Sequence, residues 1–144
     1  MIKNVSLVTV YVNDIDEAKA FYTDKLGFVL GEDLTLSPEF RWCTVHQADH
    51  PELQLALMLP GPPLDPESAE AIRRIMAKGA MHGFGINTDD CHKTFAELVA
   101  KGVEYIQEPA DRPYGVEAVL RDNSGNWLVL VEQKGYTQSD FDMP

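Results

Sequence analysis

The side chains able to bind a metal, attack a carbonyl or move a proton are scattered along this chain. Histidines stand at His46, His50, His82 and His92, and cysteines at Cys43 and Cys91, with no spacing that matches a zinc site and no H-E-x-x-H helix. A G-x-S-x-G elbow, a phosphate-cradling Walker loop and a dinucleotide fingerprint are all missing. Cys91 falls on the apolar stripe of a predicted helix, where a free thiol packs as a small inert hydrophobe. General acid-base catalysis by one of the many Asp and Glu residues stays open, with no pair singled out. The richest stretch is FRWCTVH, Phe40 to His46, in which alternation puts Arg41 and Trp42 on opposite faces and sets Trp42, Thr44 and His46 on one. There the indole can stack on a flat ligand and the guanidinium can pair with a carboxylate, against the plainer readings of a core Trp and a solvated Arg. Tyr114, in a loop next to Pro113, is a candidate rim or lid residue.

The elements that must position these groups come in two copies. Val8, Val10 and Val12 alternate with Leu7, Thr9 and Tyr11, a strand over about 5–12. Asp14 then caps a helix over about 15–26, with Ile15, Ala18, Phe21, Tyr22 and Leu26 at helical spacing and Gly27 at its end. In the second copy Phe84, Ile86 and Thr88 alternate with Gly83, Gly85 and Asn87. Asp89 or Asp90 caps a helix carrying Cys91, Phe95, Leu98 and Val99, and Gly102 ends it. Asp14 to Gly27 and Asp89 to Gly102 have the same spacing, which points to a duplicated unit. Each helix is followed by three predicted strands: 28–36, 40–46 and 53–59 in the first half, and 103–107, 116–122 and 127–133 in the second. Asp49 to Pro51 are expected to break the chain, Pro109 to Tyr114 to form a loop, and Asp122 to Asn126 to form a hairpin turn.

At 144 residues with 44% hydrophobic content, the chain can bury one core or two small packed halves. The modules are expected at about 1–59 and 80–133 of a single 1–144 domain, joined by a Pro-rich linker and helix over 60–79 and followed by a polar tail over 134–144. A formal charge of −11 disfavours a phosphate backbone as partner, so nucleic acid is not expected. The start lacks the apolar core of a secretory signal and no apolar run is long enough to cross a bilayer. The expectation is a cytoplasmic protein with reduced cysteines and no membrane partner.

VTVYVNDIDEAKAFYTDKLGF, with its FY pair and LGF ending, followed by TDDCHKTFAELVAKGV and a closing D-N-S-G-N plus strand, resembles the vicinal oxygen chelate superfamily. That group includes glyoxalase I, extradiol dioxygenases and bleomycin-resistance proteins, and the resemblance extends from Ile2 to about Gln133. It implies an α+β fold of two βαβββ modules, each an incomplete U-shaped barrel, with ligand cavities on the concave faces and a homodimer as the usual assembly. It also implies a divalent metal held by His or Glu from the first and last strands of each module. Aligned on Asp14 and Gly27, those positions hold Leu7, Gln54, Gly83 and Val129, a set with no imidazole or carboxylate. His82 beside Gly83 restores only one donor if the register slips. No metal and no other cofactor are therefore expected.

The same alignment places Leu7, Thr9, Tyr11, Gln54, Ala56 and Met58 on the cavity side of the first module. Gly83, Gly85, Asn87, Trp127, Val129 and Val131 take that side in the second. With Arg41, Trp42, His46 and Tyr114 added, the lining is apolar and aromatic with few polar anchors, as a largely hydrophobic small molecule requires. Two functions compete. One is a metal-independent binding protein resembling the bleomycin-resistance branch, capturing a hydrophobic or aromatic antibiotic or metabolite. The other is a lyase, isomerase or oxygenase-like enzyme that uses acid-base residues in place of the metal.

Overall fold

The computed structural model describes residues 1–141 and divides into two compact units. Unit 1 comprises Met1–Ala80 with Asn123–Gly125, and unit 2 comprises Met81–Asp122 with the chain from Asn126 onward. Each holds one mixed four-stranded sheet, as expected for paired βαβββ modules.

In unit 1 the strands are β1 (Leu7–Tyr11), β2 (Val29–Ser37), β3 (Phe40–Gln47) and β4 (His50–Met58), in the order β1-β4-β3-β2. β1 runs parallel to β4, and the other neighbours are antiparallel. The first helical segment is α1 (Ile15–Ala20), entered through Asp14, whose carboxylate accepts from the Glu17 N–H at 2.8 Å. It continues as a π-helical turn over Phe21–Lys25, where the Leu26 N–H reaches back five residues to the Phe21 carbonyl at 3.3 Å. Val10, Val12, Leu55, Leu57, Cys43 and Val45 are buried on the sheet face that α1 covers, together with Ala18, Phe21 and Tyr22. The strand expected at 53–59 begins earlier, at His50. Gln47 pairs with His50 across a two-residue turn, and Pro51 is admitted because it lies at the strand's start. Within the segment expected as linker lies α2 (Pro66–Ala77), capped by Asp65.

Unit 2 repeats the plan with β5 (His82–Asn87), α3 (Cys91–Ala100), β6 (Tyr105–Arg112), β7 (Gly115–Arg121) and β8 (Trp127–Gln133), in the sheet order β5-β8-β7-β6. Asp90 caps α3. The cap-to-glycine distance is therefore one residue shorter than in unit 1, and the π turn accounts for the extra residue there. β6 runs through Pro109, where a loop was expected. It is an edge strand, and its register shifts between Gln107 and Ala110, so the missing Pro109 N–H breaks no ladder bond. α3 packs on β6, β7 and β8, burying Ala118, Leu120, Leu128 and Leu130. After β8 the chain turns back. The Lys134 N–H donates to the Tyr114 carbonyl at 2.9 Å, and a 3-10 turn over Gln138–Phe141 brings Phe141 against Tyr114, a contact that a polar tail does not anticipate. The last three residues of that tail lie outside the described residues.

An ion network ties β2 and β3 to α1. Asp33 accepts from Arg41 Nε and Nη2, each at 2.9 Å, and from Lys19 Nζ at 2.8 Å. Arg41 also reaches Asp16 at 2.8 Å, but that carboxylate is 81% exposed and solvent weakens the pair. The Arg41 hydrogen bonds, and then those of Lys19, hold the Asp33 carboxyl well below the ordinary carboxylate range.

Two outcomes follow from this packing. Leu130→Ala, at a residue 1% exposed under α3, is expected to cost about 2–5 kcal/mol in urea unfolding. Val129→Ala, one residue along and on the other face, is expected to cost clearly less. The lowered Asp33 pKa means that its ionised form stabilises the fold, fully above the unfolded carboxyl value of about 3.9 and less as pH falls through the folded value. Asp33→Asn should therefore reduce stability at pH 7 by about 1–3 kcal/mol and remove that share of the acid-dependent loss, as read from unfolding curves between pH 2 and 7.

Candidate functional site

A half-buried sheet has one face for its helix and one left over. Directly paired residues point to the same side, so the ladders identify the uncovered face of each unit. In unit 1, Leu7 lies opposite Gln54, Thr9 opposite Ala56 and Tyr11 opposite Met58. Thr44 pairs with Ala56 and Trp42 with Leu34, which brings Trp42, Thr44 and His46 to that face. The Trp42 indole N–H donates to Glu32 at 3.3 Å. His46 Nδ1 is 3.0 Å from the Gln47 carbonyl.

Arg41 is not on this face. It points toward α1, its guanidinium engaged by Asp33 and Asp16, so its carboxylate partners belong to the chain itself. Trp42 and Arg41 thus stand on opposite sides, as alternation along FRWCTVH implies.

Gln54 is pinned by its own strand, with Nε2 donating to the Pro51 carbonyl at 2.8 Å. Its Oε1 is shielded from solvent and accepts no hydrogen bond among the described residues. A Cβ at Gly31 would sit 2.3 Å from that oxygen and 2.4 Å from Thr44 Oγ1, so glycine is what lets β2 pass so close. At the end of the same sheet is an open cavity of about 550 Å³, between Asn13 and Asp16, the Phe40 and Arg41 end of β3, and Met58 and Pro60.

In unit 2, Gly85 pairs with Val129 and Asn87 with Val131, while His82 lies opposite Trp127. Gly83 falls in a register shift between His82 and Phe84, where a Cβ would meet the Trp127 carbonyl at 2.7 Å. Gly83 and Val129 are thus not facing partners as Leu7 and Gln54 are. The His82 ring tilts onto Trp127 with centroids 4.8 Å apart. His50 instead pairs with Glu52 at 3.0 Å, and His92 is exposed on α3. Among the described residues no three His, Cys, Asp or Glu side chains gather in a group able to hold a metal ion.

β7 adds what the sequence reading missed. Glu117 pairs with Val131, Val119 with Val129 and Arg121 with Trp127, so a carboxylate stands on the same face as the indole and the valines. The Tyr114 hydroxyl donates to Glu117 Oε2 in a short hydrogen bond. That bond, more than burial, pushes the Tyr114 phenol above its ordinary pKa. The signal was available: in GVEAVLR, Val116, Ala118 and Leu120 take one parity and Glu117, Val119 and Arg121 the other, which sets the carboxylate on the less apolar face. Tyr114 and Val131 therefore meet Glu117, with Val129 and Trp127 further along the same face, whereas Leu7, Thr9, Tyr11, Gln54, Met58, Trp42 and His46 line the sheet of unit 1.

The sequence profile described as the Glyoxalase/Bleomycin resistance protein/Dioxygenase superfamily matches residues 4–130. Among solved structures, UcmS2 is 42% identical with a TM-score of 0.85, covering 92% of this chain and 100% of that one. TnmS3, an antibiotic binding protein from Streptomyces sp. CB03234, is 28% identical with a TM-score of 0.73, covering 92% of this chain and 98% of that one. The uncharacterized protein YetH of Bacillus subtilis (strain 168) is 30% identical over 139 residues, which is 92% of this chain and all of that one. A duplicated strand-helix-strand plan, two open mixed sheets and a profile match across nearly the whole chain have one reading: this protein belongs to the glyoxalase/bleomycin resistance protein/dioxygenase superfamily.

Proposed function

We propose that this chain is a metal-independent small-molecule-binding protein that captures a flat, largely apolar ligand, an antibiotic or an aromatic metabolite, on its uncovered sheet faces. The observation that carries the reading is its full-length likeness to TnmS3, an antibiotic binding protein. The uncovered faces support it. Trp127 and three valines in unit 2, with Trp42, Tyr11 and Met58 in unit 1, offer aromatic and aliphatic area with few polar groups.

Metal independence rests on donor chemistry. Leu7, Gln54, Gly83 and Val129 supply one amide oxygen between them, and a divalent transition metal needs imidazole, thiolate or carboxylate donors. These residues do not fit the superfamily's metal, and no catalytic step is derived through one. Two buried free cysteines suit a reducing cytoplasm. Assembly as a homodimer is part of the proposal, supported by apolar residues left exposed on the edge strand β2, among them Leu34 and Leu36. Among the described residues no helix is long and apolar enough to cross a membrane.

Elemental analysis of the dialysed protein is expected to find no stoichiometric Zn, Ni, Mn or Fe, and close to one metal per chain would overturn metal independence. Titration with a panel of aromatic antibiotics and metabolites is expected to perturb tryptophan fluorescence. Trp127→Ala should weaken the best ligand by about 1–3 kcal/mol, while Lys93→Ala on the exposed side of α3 leaves it unchanged. A ligand whose affinity survives Trp127→Ala in a folded variant places the site elsewhere. Sedimentation showing a monomer at micromolar concentration would remove the dimer.

A further inference from the structure

On the uncovered face of unit 2, Glu117 is a carboxylate with one oxygen committed and one not. Its side chain is 17% exposed. Oε2 accepts from the Tyr114 hydroxyl, whereas among the described residues no hydrogen bond reaches Oε1, which faces Arg112 Nε at 3.9 Å. That gap is maintained by Gln107. Its Nε2 donates to the Glu117 backbone carbonyl at 3.2 Å, and its Oε1 receives Arg112 Nη2 at 3.2 Å, so the guanidinium is tethered beside the carboxylate without closing on it. Oε1 therefore has room for a donor, and a hydrogen bond to a carboxylate is among the stronger ones available.

The charge already present decides what completes it. Arg112 offsets Glu117, so an incoming ammonium would meet the guanidinium at close range, while a neutral hydroxyl meets no opposing charge. Beside Glu117 an apolar track runs over Val131 and Val129 to Trp127, about 13 Å along β8 at some 3.3 Å per residue, flanked by Asn87 opposite Val131 and Arg121 opposite Trp127. We propose that Glu117 Oε1 accepts a hydrogen bond from a hydroxyl on a neutral polycyclic aromatic ligand whose ring system lies along Val131, Val129 and Trp127. This rests on the capture of a flat ligand proposed above and names the polar group that capture selects.

Three probes of one shape test it by fluorescence anisotropy: 1-hydroxypyrene, 1-methoxypyrene and 1-pyrenemethylamine, the last a cation at pH 7. The wild-type protein is expected to bind 1-hydroxypyrene about tenfold or more tightly than either of the others. In Glu117→Gln the Tyr114 hydroxyl holds the amide oxygen, so the NH₂ group faces the ligand, and the preference for hydroxyl over methoxy is expected to vanish. Trp127→Ala should weaken all three alike and leave their ratio unchanged. Equal binding of 1-hydroxypyrene and 1-methoxypyrene to the wild type would overturn the hydroxyl assignment and leave apolar capture standing. Tightest binding of 1-pyrenemethylamine would overturn the choice of a neutral ligand. Failure of every pyrene to bind would remove the capture reading itself, and this assignment with it.

Discussion

Each sheet in this protein has two faces, and each half of the sequence supplies one helix that packs on its sheet. That inequality governs the rest. α1 with its π turn, and α3, bury alternate residues such as Val10, Leu57, Leu120 and Leu130, and the residues between them are left on a face that no helix of their own unit covers. Because the side-chain period of a strand is two, a one-residue slip in any ladder would carry the buried leucines outward and the intervening residues inward. The apolar pattern that holds the fold together therefore also determines which side chains remain to meet a ligand.

Duplication was legible because it is written in punctuation: an aspartate cap, an aromatic pair or stripe, a glycine. The one-residue difference between the copies was not, since α-helical and π-helical turns look alike in periodicity over so short a run. Gly27 and Gly102, with φ of +74° and +90°, mark equivalent ends, but Asp90, not Asp89, marks the second beginning. The π turn over Phe21–Lys25 absorbs the difference within one helix, and the ladders beyond it keep their faces. Proline misled in the opposite direction. Its reputation as a breaker is earned in central strands, whereas Pro109 lies in a bulged edge strand and Pro51 at a strand's start.

The site was legible only as far as alternation reaches. Once one parity was set, Tyr11, Met58 and Trp127 followed, because strand neighbours share a side. What alternation cannot report is which polar groups are already satisfied. Arg41 looked like a free cation in FRWCTVH, yet Asp33 is eight residues earlier on the neighbouring strand and takes both of its parallel N–H groups. Glu117 looked like one more acidic residue in a chain with a formal charge of −11, yet its pairing with Val131 turns it onto the uncovered face. The partners of Arg41 are a cross-strand fact of which a single sequence carries no direct record, whereas the parity of Glu117 could be read along GVEAVLR.

The two kinds of surface on that face do different work. Apolar area discriminates poorly, since one methylene more or less changes binding by about 1–3 kcal/mol, and any ring system of similar size gains nearly the same burial. An acceptor that the bound ligand covers discriminates sharply, because a ligand that lacks the matching donor leaves it unsatisfied. On the face of unit 2 the acceptor next to the apolar track is one carboxylate oxygen, oriented by Tyr114 and kept open by the Gln107 tether on Arg112. Under the proposed function, Trp127 and the valines would account for most of the affinity and Glu117 for most of the choice. Four groups linked through hydrogen bonds cannot move independently, so the direction of that oxygen is set before any ligand arrives, and little ordering is left to offset the bond it makes.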